Sequence, residues 1–443
     1  NPHDQPTCKS SGPQAPEQFW WWPIRNFSCE YGWGLRDAGL SADFPTNARM
    51  SMQIAEDAGV VPGSAPLQGM IAFTPAVVKN ILALTGPIAV PGFDTSVSAE
   101  TLERQIHDYQ LLGRTPAGQD RKAFTHQLSI ALLARLRGLH GAALKPILRA
   151  VEDALRQKEI EIYLADPQAE GLLSQLGVSA ALHTNGDGFY VVDTNDGGNK
   201  ANLYVSEAQT DLVTLLPNGS ALHQLQIAVT YNKTGPVYEG TTGFEDYSDI
   251  QRTYLPSNAM LLGYAGYTPP VFNPVSCQGG GYASPITNCD RERALITPIT
   301  ISDEISRGMV MGPVLVTCGG VTDFSRYDPR QELALCQSHP TPQTITIYVT
   351  WLTPHAFTLD ANGHGTYTEL VEKQPGSVNH LRVYISTSAL SGLAAPSALQ
   401  RQAARLATLS APQREARFAA LLLSASPVYD APLLTDTTIT YHI

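Results

Sequence analysis

At Asp187 the sequence changes period, and that change limits what the chain can become. Before it, apolar residues recur at helical spacing; after it, short apolar runs alternate with turn signals. Helices are expected over 98–112, 121–139 and 143–158, with Leu128, Leu132, Leu136 and Leu139 as a buried stripe. A strand at 160–164 and a short helix at 168–176 follow. Beyond Asp187, strands are expected at 189–193, 203–207, 212–216, 222–231, 253–255, 260–264, 294–301, 309–316, 344–351 and 381–386. Breaks such as Pro217-Asn218-Gly219 separate them, which is the pattern of an antiparallel sandwich. Residues 390–424 read as helix, Pro427, Asp430 and Pro432 as a spacer, and 438–443 as a terminal strand.

The N-terminal half is organised around residues 68–92. A short apolar run at 70–73 leads into Thr74-Pro75, an N-cap followed by proline at the first helical position. Val77, Val78, Ile81, Leu82 and Leu84 share one side of a helix that Gly86 ends and Pro87 stops, and 88–90 forms a second strand. Strand, helix and strand in that order belong to a layered α/β domain. A helix beginning at Pro45-Thr46 presents Ala48, Met52, Ala55 and Ala58 as a narrow face. The expected fold is therefore α+β. Residues 1–32 form a disulfide-held segment, 33–186 an α/β and helical domain, 187–388 a β-rich, sandwich-like domain, and 389–443 a C-terminal helix and terminal strand.

Only 16% of the 443 residues are charged, against about 25% in a typical soluble domain, so much of the surface is uncharged. A formal charge of −11 argues against nucleic-acid or anionic-membrane partners. No apolar run is long enough to span a membrane. The six cysteines, Cys8, Cys29, Cys277, Cys289, Cys318 and Cys336, fall as three local pairs without metal-ligand spacing. Proximity suggests 8–29, 277–289 and 318–336 among the connectivities open to six cysteines, and disulfides mean an extracellular or cell-surface location. The sequons at Asn26, Asn218 and Asn232 agree with export as a glycoprotein. The sequence opens on Asn1, as expected where a leader or anchor has been cleaved or the chain is a processed fragment, and both termini are expected to be docked.

Two terminal features suggest subunit contacts. Trp20, Trp21 and Trp22 offer a stacking platform for sugar rings or pack an irregular, disulfide-held segment against a sheet or a neighbour. At the other end Ile439, Tyr441 and Ile443 alternate with Thr438, Thr440 and His442, as in a half-buried strand that either folds back or adds to a neighbouring subunit's sheet.

Five segments occur in an order that resembles the bacterial exported family catalogued as domain of unknown function 4012. They are LRDAGLSADFPTNA at 35–48, GMIAFTPAVVKNILALTGPIAVPG at 69–92, KEIEIYLADPQAEGLLSQLG at 158–177, YVVDTNDGGNKANLYV at 190–205 and RTYLPSNAMLL at 252–262. The family is distantly similar to the LytR-CpsA-Psr proteins, which transfer glycopolymers from polyprenyl-pyrophosphate carriers. That resemblance implies an α/β core at 33–92, here without the family's usual strand segment before its Arg-Asp motif. It also implies a pyrophosphate site needing divalent metal on carboxylates and arginines on phosphate. Arg36, Asp37 and Asp43 are the candidates, with Arg49 one helical turn on. The alternative roles are local caps for the two aspartates and an ion pair for Arg36.

No phosphate loop, G-x-S-x-G elbow or H-E-x-x-H is present, and the histidines are scattered without ligand spacing. Asp193, Asn195, Asp196 and Asn199 resemble a calcium-binding turn but lack the distal Glu of a helix-loop-helix site, and a hairpin with Asx turns is the favoured reading. The resulting expectation is a secreted structural protein: a homo-oligomer or surface polymer, subunit of an extracellular filament or assembly, non-enzymatic, with no cofactor and no metal. The alternatives are an envelope glycopolymer transferase, which alone would need a divalent metal, and a surface module binding cell-wall glycan.

Overall fold

The computed structural model describes residues 19, 34–35, 37–59, 65–111, 120, 122–183, 185–195, 201–232, 246–268, 299–304, 307–317, 343–387, 405 and 408–443. Helix α1 (Phe44–Asp57) starts the N-terminal part, followed by β1 (Gly69–Phe73), α2 (Pro75–Thr85), β2 (Ile88–Ala89) and β3 (Ser96–Val97). Helices α3 (Leu102–Leu111), α4 (Ala123–Arg137) and α5 (Leu144–Arg156) come next, then β4 (Ile160–Leu164) and α6 (Pro167–Gln175).

The strand-helix-strand order at 68–92 is present, but its two strands do not share a sheet. β1 pairs antiparallel with β4, and β2 pairs with β3. Each is a two-stranded ribbon. Thr74 and Pro75 do begin α2, and Gly86 ends it at φ 79°, where a side chain would be strained. Thr74, however, makes no side-chain cap; its hydroxyl donates to Glu159 on the chain entering β4. Val77, Ile81 and Leu82 bury against Leu102, Phe124, Leu128, Leu132 and Ile147, forming the core of the helical layer. On α1 the buried residues are Phe44, Pro45, Ala48 and Ser51, a face rotated from the one the small residues suggested.

The β-rich half is a sandwich of two six-stranded sheets. One has the order β10 (Ile299–Glu304), β11 (Arg307–Thr317), β8 (Asp246–Pro256), β5 (Asp187–Val192), β13 (Thr366–Glu372), β16 (Thr437–His442). The other runs β15 (Ser426–Leu433), β14 (Asn379–Ser386), β6 (Val205–Leu215), β7 (Ala221–Tyr231), β12 (Gln343–Thr353), β9 (Met260–Ala265). Their inner faces share one apolar core that includes Phe189, Val213, Ile227, Val310, Trp351, Val371 and Val383. Most neighbours are antiparallel, but β13 lies parallel to β5 and β14 parallel to β6. Gly188 is required where β13 meets β5: at φ 133°, an added Cβ would sit 1.9 Å from the Leu370 carbonyl oxygen.

The sandwich is covered on both outer faces. Phe19, Leu40 and the Met50 and Ile54 side chains of α1 pack on Tyr190, Val192, Ile250, Tyr254, Met309 and Met311. On the opposite sheet, Phe418 of α7 (Ala411–Leu422) packs with Leu212 and Tyr348.

Three strand expectations are corrected. Residues 203–207 and 212–216 belong mainly to one continuous strand, β6; 366–372 is a strand that was not expected; and the supposed spacer at 427–432 is β15. Proline lowers strand propensity, yet Pro427 and Pro432 are tolerated because β15 is an edge strand with one side unpaired among the described residues.

Candidate functional site

Asp37 and Asp43 hold the turn before α1. Asp43 is the N-cap: Oδ2 accepts from the Thr46 amide at 3.0 Å and its hydroxyl at 2.6 Å, and Oδ1 accepts from the Leu182 amide at 3.1 Å. Both oxygens are thereby engaged. Asp37 is 1% exposed and accepts from the Gly34 amide at 3.1 Å. Arg36 lies outside the described residues. Arg49 donates to Thr46 at 3.0 Å and stands over the Tyr163 ring.

The segment carrying these residues forms one wall of a cleft of about 400 Å³ against the sandwich. Met70 and Ala72 of β1, Glu161 of β4, Phe44 of α1 and Tyr190 and Arg252 of the sheet are among its lining residues; Asp37 and Asp43 are not. Arg252 is 1% exposed and donates to the Leu40 carbonyl at 2.6 Å, the Tyr254 hydroxyl at 2.8 Å and the Thr194 hydroxyl at 3.0 Å. Its guanidinium joins the turn before α1 to the sheet. Burial pushes the Glu161 carboxyl up to about 7, against the pull of Lys158 and Lys373. The cleft is therefore mixed, with an apolar wall, the carboxyls of Glu161 and Asp193, both raised by burial, and a committed guanidinium.

Below the cleft, opposite charges join the two halves of the molecule. Lys158, in the left-handed region at φ 55°, reaches Asp436 at 2.8 Å and Glu372 at 3.5 Å. Arg307 meets Glu372 at 2.8 Å, and Lys373 meets Glu159 at 2.8 Å. Glu159, Glu372 and Lys373 are buried, so these charges are satisfied by one another. His183 adds a contact to Asp436 at 3.4 Å, and its imidazole is raised above its ordinary value chiefly by that hydrogen bond.

A second buried cluster lies between the sheets. His223 on β7 is 0% exposed, with Nδ1 2.7 Å from Asp211 Oδ2 on β6 and Nε2 3.0 Å from Asp187 Oδ2 at the start of β5. The Tyr367 hydroxyl donates to the same Asp187 oxygen at 2.9 Å. Trp351 stacks on the imidazole, 4.4 Å between centroids and 5° between planes. Burial alone would discharge the imidazole, but the two aspartates outweigh it and raise His223 well above its ordinary value. Glu369, opposite Asp187 on β13, is raised well up by burial and then by Asp211.

Sequence spacing does not reveal this cluster, because its residues come from separate strands. The readable signal is a polar residue inside an apolar run, His223 in ALHQL and Asp211 in TDLVTLL. The candidate calcium turn is divided: Asp193 accepts from Gln251 at 3.0 Å, while Asp196 and Asn199 lie outside the described residues.

Of the remaining predicted residues, Trp20, Trp21, Trp22, Asn26 and all of Cys8, Cys29, Cys277, Cys289, Cys318 and Cys336 lie outside the described residues. Phe19, next to the tryptophans, is fully buried against the sheet. Asn218 sits exposed in the turn between β6 and β7, its Oδ1 accepting from the Ser220 amide at 3.1 Å. Asn232 is exposed and donates to Ser206 at 2.9 Å. The terminal strand β16 pairs antiparallel with β13; Ile439 is 5% exposed, and Tyr441 and Ile443 pack against the same core.

Residues 15–108 match the family described as Protein of unknown function (DUF4012). The match takes in the turn before α1, β1 and α2, where two of the five resembling segments lie; the sandwich falls outside it. No curated protein matches the chain. No described helix is long and apolar enough to cross a membrane.

Proposed function

We propose that the protein is an exported structural subunit of an extracellular assembly, joined to its neighbours through its C-terminal strands. The observation that carries this reading is the placement of residues 426–443. Within that short segment, β15 forms the outer strand of one sheet and β16 the outer strand of the other, with only residues 434–436 between them. One segment thus completes both sheets, so its exchange between copies would preserve every pairing with β14 and β13.

The two edges differ in how they receive a neighbour. β15 carries Pro427, Pro432 and the exposed Asp430, which guard an edge against further pairing. β16, Thr437-Thr-Ile-Thr-Tyr-His442, carries neither proline nor acidic residue and is rich in strand-favouring side chains. The low charged fraction of the whole chain suits a surface covered by other copies. Asp37 and Asp43 act as turn and cap, which is a structural use of the residues that a pyrophosphate chemistry would need.

The test is the mass of the native protein in solution, by light scattering, before and after removal of residues 437–443. Large assemblies that return to monomers on truncation support the reading. An intact protein that stays monomeric at high concentration sinks it.

The cleft of about 400 Å³ favours a second reading, a binder of an apolar carrier with a phosphate head. Metal-dependent retention of a polyprenyl pyrophosphate, abolished by Ala72→Trp, which would fill the cleft, would support that reading; no retention would remove it.

A further inference from the structure

We propose that Asp211, His223 and Glu369 bind a divalent transition-metal ion between the two sheets of the sandwich. Each residue offers one ligand atom, and the three atoms lie within 4.8 Å of one another. All three residues are 0% exposed. Strands β6 and β7 supply two ligands from one sheet, and β13 supplies the third from the other. An ion there would tie the sheets together through the core.

The imidazole is already oriented for such a role. Asp187 holds Nε2 at 3.0 Å, Tyr367 holds Asp187 at 2.9 Å, and the Trp351 indole fixes the ring plane from one face. Nδ1 is left facing Asp211 at 2.7 Å. A carboxylate on the far nitrogen is the arrangement that sets the tautomer and direction of a metal-bound histidine. Ligand bonds of about 2.0–2.2 Å place neighbouring donor atoms roughly 3 Å apart, close to the spacing of Nδ1 and Oδ2.

The second observation is independent of His223. Both oxygens of Glu369, and Oδ1 of Asp211, are buried without an N–H or O–H donor among the described residues. A buried carboxylate with no donor is costly, and two that face each other need a proton or a cation between them. One imidazole with two carboxylates suits zinc or manganese and does not suit copper(I) or an iron–sulfur cluster. The site is enclosed, so the ion would enter as the sheets close during folding.

The experiment uses the full chain without an affinity tag. Metal content is measured on the protein as purified; the protein is then unfolded in guanidinium with chelator and refolded with Zn²⁺, with Co²⁺ or without metal. One ion per chain and a higher unfolding midpoint in the metal-loaded protein are expected. The Co²⁺ form should show ligand-field bands without a thiolate charge-transfer band, which separates this site from the six cysteines. Glu369→Gln, close in volume and able to donate to Asp211, should lose the ion and the gain in midpoint. Negligible metal with an unchanged midpoint would overturn the proposal, as would a thiolate spectrum or a Glu369→Gln protein that keeps its ion. In the first case a shared proton between Glu369 and Asp211 is what the cluster holds.

Discussion

Two groups of buried charges hold this molecule together in different ways. At the boundary between the helical layer and the sandwich, Lys158, Arg307 and Lys373 face Asp436, Glu372 and Glu159, and each cation has a carboxylate within 2.8 Å. Inside the sandwich, Asp187 and Asp211 share one imidazole, and Glu369 adds a third carboxyl beside Asp211. The boundary is balanced, whereas the interior carries an excess of carboxylate. A balanced group resists separation of its partners but is replaceable by apolar residues of similar size; an unbalanced one depends on whatever supplies the missing positive charge.

Removing His223 should do most damage. His223→Ala leaves two buried aspartates without their cation and opens space under Trp351, and the expected loss is about 3–5 kcal/mol in urea unfolding. A loss below about 1 kcal/mol would show that the interior group is dispensable. At the boundary, Lys373→Met alone should cost roughly 3 kcal/mol because Glu159 stays buried without its partner. Adding Glu159→Leu should recover most of that loss, the signature of a balanced pair. If the double variant is no better than the single one, the boundary behaves like the interior.

Glu161, beside the boundary, sharpens the contrast through pH. Its carboxyl is raised from 4.5 to about 7 by burial, with Glu159 adding to the rise and Lys158 and Lys373 opposing it. A folded value above the unfolded one means that stability is fully present below the unfolded value and is lost as pH rises through the folded value. Glu161→Gln should therefore match the wild-type protein near pH 4 and exceed it by up to about 3 kcal/mol above pH 8. Denaturant titrations at both pH values measure this, and a pH-independent difference would contradict the assignment. The smallest effect expected is at the turn before α1. Asp43→Ala removes the cap and the bond to Leu182, for a loss of about 1–2 kcal/mol.

Local signals carried much of this architecture. The period change at Asp187 marks the first strand of the sandwich, and Pro75 and Gly86 bound α2 as capping rules require. Long-range pairing was not legible. Nothing local in Met70 or Ile88 says that their strands belong to different ribbons, since β1 finds its partner in β4 far along the chain. β15 was hidden by its prolines, whose cost vanishes at a sheet edge. Asp43 was readable as a cap because capping depends on residues three positions apart. His223, Asp211 and Glu369 were not, because only the crossing of the two sheets brings them together.

If residues 437–443 are exchanged between copies, β16 of one chain pairs with β13 of another. Thr368 and Thr440 are exposed and directly opposite across β13 and β16, close enough for a disulfide if both become cysteine. Oxidised Thr368→Cys/Thr440→Cys protein, sized under denaturing, non-reducing conditions, reports whether that pair forms within one chain or between two. Covalently linked multiples that collapse to single chains on reduction, and are absent from either single variant, are expected. Cross-linked protein running only as single chains would contradict the exchange.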